Sequence, residues 1–226
     1  MHTDRLAPLA LILLLIPGTA WATYVNFESS QVHPITLNGT QDRLLVVNTP
    51  DARLEVFSVA GDGSLTRSFS VPVGLEPVSV AWRPNLVSGR EEAWVVNLLS
   101  DSVSIVDLGL RQVIRTLPVG DEPTDVAFAQ GRAFVTVSQE DAVRVFNLPL
   151  PVPPAPPSQS TVSLFGRQPR ALAVGAGGTR VYAVLQKSGN QTTVVDSNVI
   201  FGNNPNLNLG RLSQSLPRGD ESRRPL

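Results

Sequence analysis

The sequence contains no cysteine. Disulfide bonds, cysteine zinc sites, thiol catalysis and covalent attachment of c-type haem are therefore excluded, because each of them needs a thiol. Attachment of a lipid through a cysteine is excluded for the same reason. The fold has to be held together by packing and hydrogen bonds alone.

The sequence also has no apolar run of the length that a membrane span needs. The longest run, Leu6 to Ile16, is well short of the roughly 20 residues of a spanning helix. Arg5 precedes this run, Pro17-Gly18 ends it, and Ala20-Trp21-Ala22 has the small-residue pattern of a signal cleavage site. We predict a secretory signal peptide over residues 1–22 and export to a periplasm or the cell exterior, without stable membrane insertion. An uncleaved anchor is the alternative.

A strong net charge is missing too. The formal net charge is −1 over 226 residues, so the sequence has no feature that would attract nucleic acid or an anionic membrane, and we expect neither as a partner. Good helix formers are sparse, whereas valine, threonine, serine, glycine and proline are plentiful. This composition favours an all-β domain.

What the sequence does contain is a repeat of about forty-six residues. Similar segments begin at prolines spaced 43, 46 and 46 residues apart, namely Pro34, Pro77, Pro123 and Pro169. Each unit reads as a series of about four short strands with alternating apolar residues, separated by turn-forming residues. A period in the forties with four strands per copy is typical of propeller blades. We therefore predict an all-β fold, a partial β-propeller of about four four-stranded blades over residues 23–202.

The most complete unit, residues 77–120, reads PVSVAW, AWVVN, DSVSIVDLGL and VIRTLPVG in order. Together with PTDVAFAQGRAFVTVS and SVPVG from its neighbours, it resembles the YVTN-type β-propeller repeat family of exported bacterial proteins. The resemblance covers about residues 32–200 and implies a propeller fold, with more blades than four in complete forms. It implies no single activity, since propellers serve many roles. We expect a truncated propeller.

Two segments depart from the repeat. The stretch Leu148 to Gln159 is rich in proline, and we predict an exposed polyproline loop that serves as a spacer or as a dock for a proline-recognising partner. Residues 203–226 lack apolar periodicity, and we predict a disordered tail. With three strands at most in the fourth unit, an open stack would expose apolar faces at both ends, which could pair with a second copy.

Polar residues recur near the turns that follow the second strand of each unit. They are Asn48, Asp51, Asn97, Asp101, Ser138 and Asp141. We interpret Asn48, Asn97 and Ser138 as equivalent positions that form a ring at one end of the axis, with the aspartates beside them. This ring is our candidate ligand site, and its oxygens would suit calcium, although no cofactor is required. The alternative is that these are turn residues, repeated only because the fold repeats.

Three other polar residues are candidates for a chemical role. Glu91 and Glu92 belong to no ring, and we expect them to be solvated. His33, the one histidine outside the predicted leader, stands just before Pro34, near the predicted mouth of the axis. It could ligate a metal or haem, but neither a second histidine nor a carboxylate cluster lies near it in sequence. A structural or solvent-exposed His33 is the interpretation that we prefer, and we predict no catalytic residue.

The repeats are explained by blade packing, which leaves no catalytic constellation unassigned. Our hypothesis is an exported, non-enzymatic propeller scaffold for an unidentified protein or small molecule. The resemblance implies two alternatives. One is a metal-dependent lactonase-like hydrolase with cation ligands among the hairpin oxygens. The other is a haem- or cytochrome-associated redox accessory with His33 as an axial ligand.

Overall fold

The computed structural model describes residues 30–187 as fourteen β-strands and one short 3-10 turn. The predicted leader (1–22), the predicted tail (203–226) and the expected third strand of the fourth unit (192–197) lie outside the described residues. Within residues 30–187, no helix is long and apolar enough to cross a bilayer.

The first three units each form a four-stranded antiparallel sheet in which strands adjacent in sequence pair. The first sheet contains β1 (Ile35–Leu37), β2 (Arg43–Asn48), β3 (Arg53–Val59) and β4 (Leu65–Pro72). The second contains β5 (Pro77–Asn85), β6 (Arg90–Asn97), β7 (Ser102–Asp107) and β8 (Gln112–Pro118). The third contains β9 (Pro123–Ala129), β10 (Arg132–Val137), β11 (Ala142–Asn147) and β12 (Gln159–Ser163). The fourth unit pairs β13 (Arg167–Val174) with β14 (Val181–Lys187) through the 3-10 turn at Ala176–Gly178.

The sheets stack face to face, with the first strands of successive units side by side: β1 contacts β5, β5 contacts β9, and β9 contacts β13. Pro77 and Pro123 begin their strands, as the repeat predicted. A set of first strands gathered around one axis is the arrangement of a propeller, and here the stack is open. The predicted fold class is confirmed.

The second sheet shows why the repeat needs neighbours on both sides. One of its faces joins a core shared with the first sheet that includes Leu45, Leu54 and Val95. The other joins a core shared with the third sheet that includes Trp94 and Phe146. As a result every residue of β7 is buried, including the polar Ser102, Ser104 and Asp107.

One prediction about exposure was wrong. Glu92 is buried, because Arg83 pairs with its carboxylate at 3.0 Å and the Trp94 indole donates to it at 3.2 Å. The proline-rich insert is mostly exposed, as predicted, although Leu148 and Leu150 pack against the core between the second and third sheets.

Candidate functional site

One end of the sheets gathers the residues that the sequence analysis selected. Pro77 pairs with Asn97, so the start of β5 and the β6–β7 turn lie at the same end. His33 lies there as well, because the carbonyl of the next residue, Pro34, accepts a hydrogen bond from Val47 at 2.9 Å. We call this region the hairpin end, comprising residues 30–34, 48–52, 97–102, 123–125 and 137–142.

Asp125, on β9, is the central polar group of the hairpin end. Its side chain is 0% exposed and accepts four hydrogen bonds. Ser79 Oγ and the Val126 amide donate to Oδ1 at 2.7 and 2.9 Å, and the Leu172 amide and His33 Nδ1 meet Oδ2 at 2.6 and 2.8 Å. One carboxylate therefore joins the second, third and fourth sheets to the segment before β1.

His33 and Asp125 form a dyad with a half-exposed imidazole: the His33 side chain is 52% exposed. Because an ionised carboxylate only accepts hydrogen bonds, the proton of this contact belongs on Nδ1. The lone pair available to a ligand is then on Nε2. The backbone holds the residue in place, since the Val80 amide donates to the His33 carbonyl at 2.9 Å.

Sequence reasoning missed Asp125 as a partner of His33, because the two residues are 92 positions apart. One signal was present. The second position after the repeated proline is Thr36, Ser79, Asp125 or Ala171. Asp125 is thus the only charged residue among them, at a position that faces other blades.

The strand register corrects the equivalence that we assigned to the hairpin residues. Asn97 pairs with Ser102, and Val137 pairs with Ala142. Val137, and not Ser138, is therefore the counterpart of Asn97. The three-membered ring of Asn48, Asn97 and Ser138 is wrong in its third member.

The aspartates also fall on two different repeat positions. Ala52, Asp101 and Asp141 share one, and each has a positive φ, at 51°, 52° and 51°. Asp51 therefore corresponds to Ser100 and not to Asp101. The alignment missed this shift because a turn can move by one residue without changing the apolar pattern of its strands.

Two of the aspartates hold successive sheets together. Asp101 Oδ1 accepts the amide of Glu122 at 3.1 Å, and Asp141 Oδ1 accepts the amide of Gln168 at 2.8 Å. Asp51 is exposed and hydrogen-bonded at 2.8 Å to the amide group of Asn48. Within residues 30–187, no group of three or more acidic or histidine side chains could hold a metal ion, and the predicted ligand role of these residues stays a prediction.

Asn97 and Ser138 are buried. Asn97 Nδ2 donates to Ser104 Oγ at 2.9 Å and to Ser102 Oγ at 3.2 Å. Its Oδ1 is buried and has no hydrogen-bond partner among the described residues. The two serines that accept from its Nδ2 also line a cavity of about 580 Å³ between the first and second sheets.

Comparison with solved structures supports the architecture. Hydrazine synthase of Kuenenia stuttgartiensis aligns over 76% of this chain and 47% of its own, with 24% identity and a TM-score of 0.58. A putative 6-phosphogluconolactonase from Bacteroides uniformis aligns over 68% and 47%, with 15% identity and a TM-score of 0.56. The dihydro-heme d1 dehydrogenase NirN aligns over 69% and 33%, with 12% identity and a TM-score of 0.51. The fold is that of part of a β-propeller.

These likenesses establish the fold and no activity, because the identities are low. The chain spans about half the length of the first two structures, at 47% of each. No family model matches the chain, and no curated protein does. Membership of the YVTN-type repeat family stays a prediction.

Proposed function

We propose that the protein is an exported, non-enzymatic propeller scaffold that binds a small molecule or another protein at the hairpin end. The observation that carries the proposal is the use of the carboxylates there: Asp101, Asp125 and Asp141 each accept hydrogen bonds from a neighbouring sheet. Carboxylates committed to such contacts are poor general acids or bases. Loops at the end of a rigid stack are, by contrast, well placed to contact a ligand.

The six hairpin residues divide by exposure into two groups. Asp51 and Asp101 are exposed, and Asn48 and Asp141 are partly so, which lets them contact a ligand directly. The remaining two, Asn97 and Ser138, are buried and would shape the surface from behind.

The proposal is tested by thermal melting of the mature protein against defined sugars, amino acids, nucleotides, lactones and calcium. A bound compound raises the melting temperature by mass action. The triple variant Asp51→Asn, Asp101→Asn, Asp141→Asn keeps the side-chain oxygens that accept backbone amides but removes three charges, so the shift should shrink or vanish. Asp62→Asn, in an exposed turn, is the control and should behave as wild type.

The hydrolase alternative is tested on the same samples. If the wild-type protein hydrolyses a lactone and His33→Ala abolishes the turnover, the chain is an enzyme and the scaffold proposal is overturned. Calcium-dependent turnover that the triple variant loses would place metal ligands among the hairpin oxygens instead.

The His33–Asp125 dyad favours a second candidate function, ligation of a haem iron or another metal. A histidine that ligates a metal usually donates its other ring nitrogen to a carboxylate or carbonyl, and His33 has this arrangement at 2.8 Å. His33 Nε2 would be the ligand, and the bound group would supply electron transfer. Titration with haemin should then produce a shifted Soret band in the wild type but not in His33→Ala. An identical band in both proteins contradicts this candidate.

A further inference from the structure

One repeat position carries a different kind of side chain in the second sheet than in the third. In both sheets this side chain faces the sheet that comes before in the chain. Ser104 pairs with Thr116, and Arg144 pairs with Thr161 at the same place in the next unit. Ser104 therefore corresponds to Arg144, and Thr116 to Thr161. The position holds a short hydroxyl in one sheet and a guanidinium in the other.

In the third sheet the Arg144 guanidinium fills the space against the second sheet. Its Nε donates to the carbonyl of Val119 at 3.1 Å. The two terminal nitrogens donate to Thr161 Oγ1 and to the Glu140 carboxylate. The guanidinium is thus held by a backbone carbonyl of the linker between sheets, a threonine of the outer strand and a carboxylate of the hairpin.

The second sheet keeps the first two of these acceptors without the arginine. The Val73 amide donates to the backbone carbonyl of Ala52 at 2.9 Å, and the Val119 amide donates to the backbone carbonyl of Asp101 at 3.0 Å. Because Ala52 and Asp101 share one repeat position, Val73 is the counterpart of Val119. Val73 and Thr116 both line the cavity of about 580 Å³. The serine at position 104 is too short to fill it.

The Asn97 amide lies behind the wall of this cavity. The amide is oriented by the bonds from Nδ2 to Ser102 and Ser104, two residues of the cavity wall. Gly74, also in the wall, is so close that a Cβ there would lie 2.6 Å from Asn97 Cγ. Asn97 Oδ1 is a buried acceptor that has no donor among the described residues, an arrangement that costs stability.

We propose that this cavity is a socket for a guanidinium group brought by a ligand, either free arginine or the arginine side chain of a peptide. A guanidinium carries five N–H donors and no acceptor. Val73, Thr116 and Asp101 line the cavity, and their carbonyl, hydroxyl and carboxylate oxygens are the acceptors that we assign to the guanidinium. The inference rests on the proposed binding function, which it deepens by naming a ligand class.

The test is isothermal titration calorimetry of the mature protein with L-arginine and with L-citrulline, its neutral isostere of nearly equal shape. Arginine should bind at least about tenfold more tightly, because the charge-assisted hydrogen bonds are lost with citrulline. Gly-Arg-Gly serves to distinguish the two sources: tighter binding of the peptide indicates a protein partner, and tighter binding of free arginine indicates a metabolite.

Variants test the geometry directly. Ser100→Glu with Ser104→Arg rebuilds the pair found in the third sheet, so the chain should fill its own socket, stay folded and bind no arginine. Thr116→Val removes one acceptor while keeping the shape and should weaken binding by about tenfold. Thr161→Val, the same change beside Arg144, is the matched control and should bind arginine as the wild type does.

Three results would overturn the socket: equal affinity for arginine and citrulline, arginine binding that survives in the Ser100→Glu, Ser104→Arg variant, or no heat of binding with either arginine or the peptide. Failure of the socket is distinguishable from failure of the scaffold proposal. If another compound stabilises the wild type but not the triple hairpin variant, the scaffold stands without the socket. If no compound does so, both fail.

Discussion

At the scale of single residues, Asp125 contributes most to holding the sheets together. A buried carboxylate is tolerated only where donors replace the water that it has lost. Asp125 receives such donors from the second, third and fourth sheets and from the segment before β1. The same atoms that orient His33 therefore also bind the sheets together.

Removal of the Asp125 carboxylate should be costly. Asp125→Ala leaves buried donors on three sheets without an acceptor, and we expect a loss of about 3–5 kcal/mol in the free energy of unfolding. Ser79→Ala removes a single donor and should cost about 1.5–3 kcal/mol. Urea unfolding followed by circular dichroism measures both losses. An Asp125→Ala variant as stable as the wild type would show that the carboxylate is not what joins the sheets.

The pH dependence of stability should depend in part on Glu55. The hydrogen bond from Arg67 lowers the pKa of the Glu55 carboxyl below its ordinary value of 4.5, burial opposes this, and a hydrogen bond from Ser70 adds to the lowering. A carboxyl whose pKa is lower in the folded state stabilises the fold above its unfolded pKa. The contribution is lost as the pH falls through the folded value.

We therefore expect the free energy of unfolding to fall below about pH 4.5, and less steeply in Glu55→Gln. Arg67→Met should flatten the same part of the curve, because it removes the partner instead of the carboxyl. The check is a series of urea titrations from neutral to acidic pH. Full wild-type pH dependence in both variants would contradict the assignment.

At the scale of elements, the apolar pattern predicted most strands. β5 begins with the predicted PVSVAW segment, and β6 ends with the predicted AWVVN segment. These predictions hold because alternation and turn residues are local properties of the chain. The stacking of the sheets could also be predicted, since a single blade cannot bury both of its faces.

The candidate site was predictable only in its location. Asp125 was missed because its partners come from three other segments, and Glu92 because burial depends on Arg83 reaching across a hairpin. The unpaired Asn97 oxygen was missed because the hydrogen-bond partners of a buried side chain depend on packing and not on spacing in the sequence. Contacts between distant residues carry no periodic signal.

The proline-rich insert provides a test at the scale of elements. Leu150 packs against the core between the second and third sheets, whereas Val152 is 82% exposed. Leu150→Ala should cost about 1–2 kcal/mol of unfolding free energy, and Val152→Ala should stay within about 0.5 kcal/mol of the wild type. Arg115 donates a hydrogen bond of 2.6 Å to the carbonyl of Pro151, the residue between Leu150 and Val152, and so holds the insert at this point. Equal effects of the two substitutions in urea unfolding would show that the insert is a free loop.

At the scale of the whole molecule, the stack formed by residues 30–187 presents an apolar face at each end. On the first sheet, Ile35 is 57% exposed and shares its face with the paired Val46. On the fourth sheet, Tyr182 and Val184 are 53% and 59% exposed on the face turned away from the third sheet. The second sheet has neighbours on both faces, and its counterparts of Tyr182 and Val184, namely Trp94 and Val96, are buried. Apolar surface of this kind is a common site of association.

We propose that two copies associate through these end faces. Tyr182→Ser with Val184→Ser makes the outer face of the fourth sheet polar, and it should weaken association by at least about tenfold, since burial of two large side chains is lost. Sedimentation velocity over a range of concentrations measures the effect. Phe165→Ser is the matched control, because Phe165 is 82% exposed yet lies in the loop between β12 and β13. If the wild type stays monomeric at every concentration, or if the control loses association as strongly as the double variant, the end faces do not mediate contact between copies.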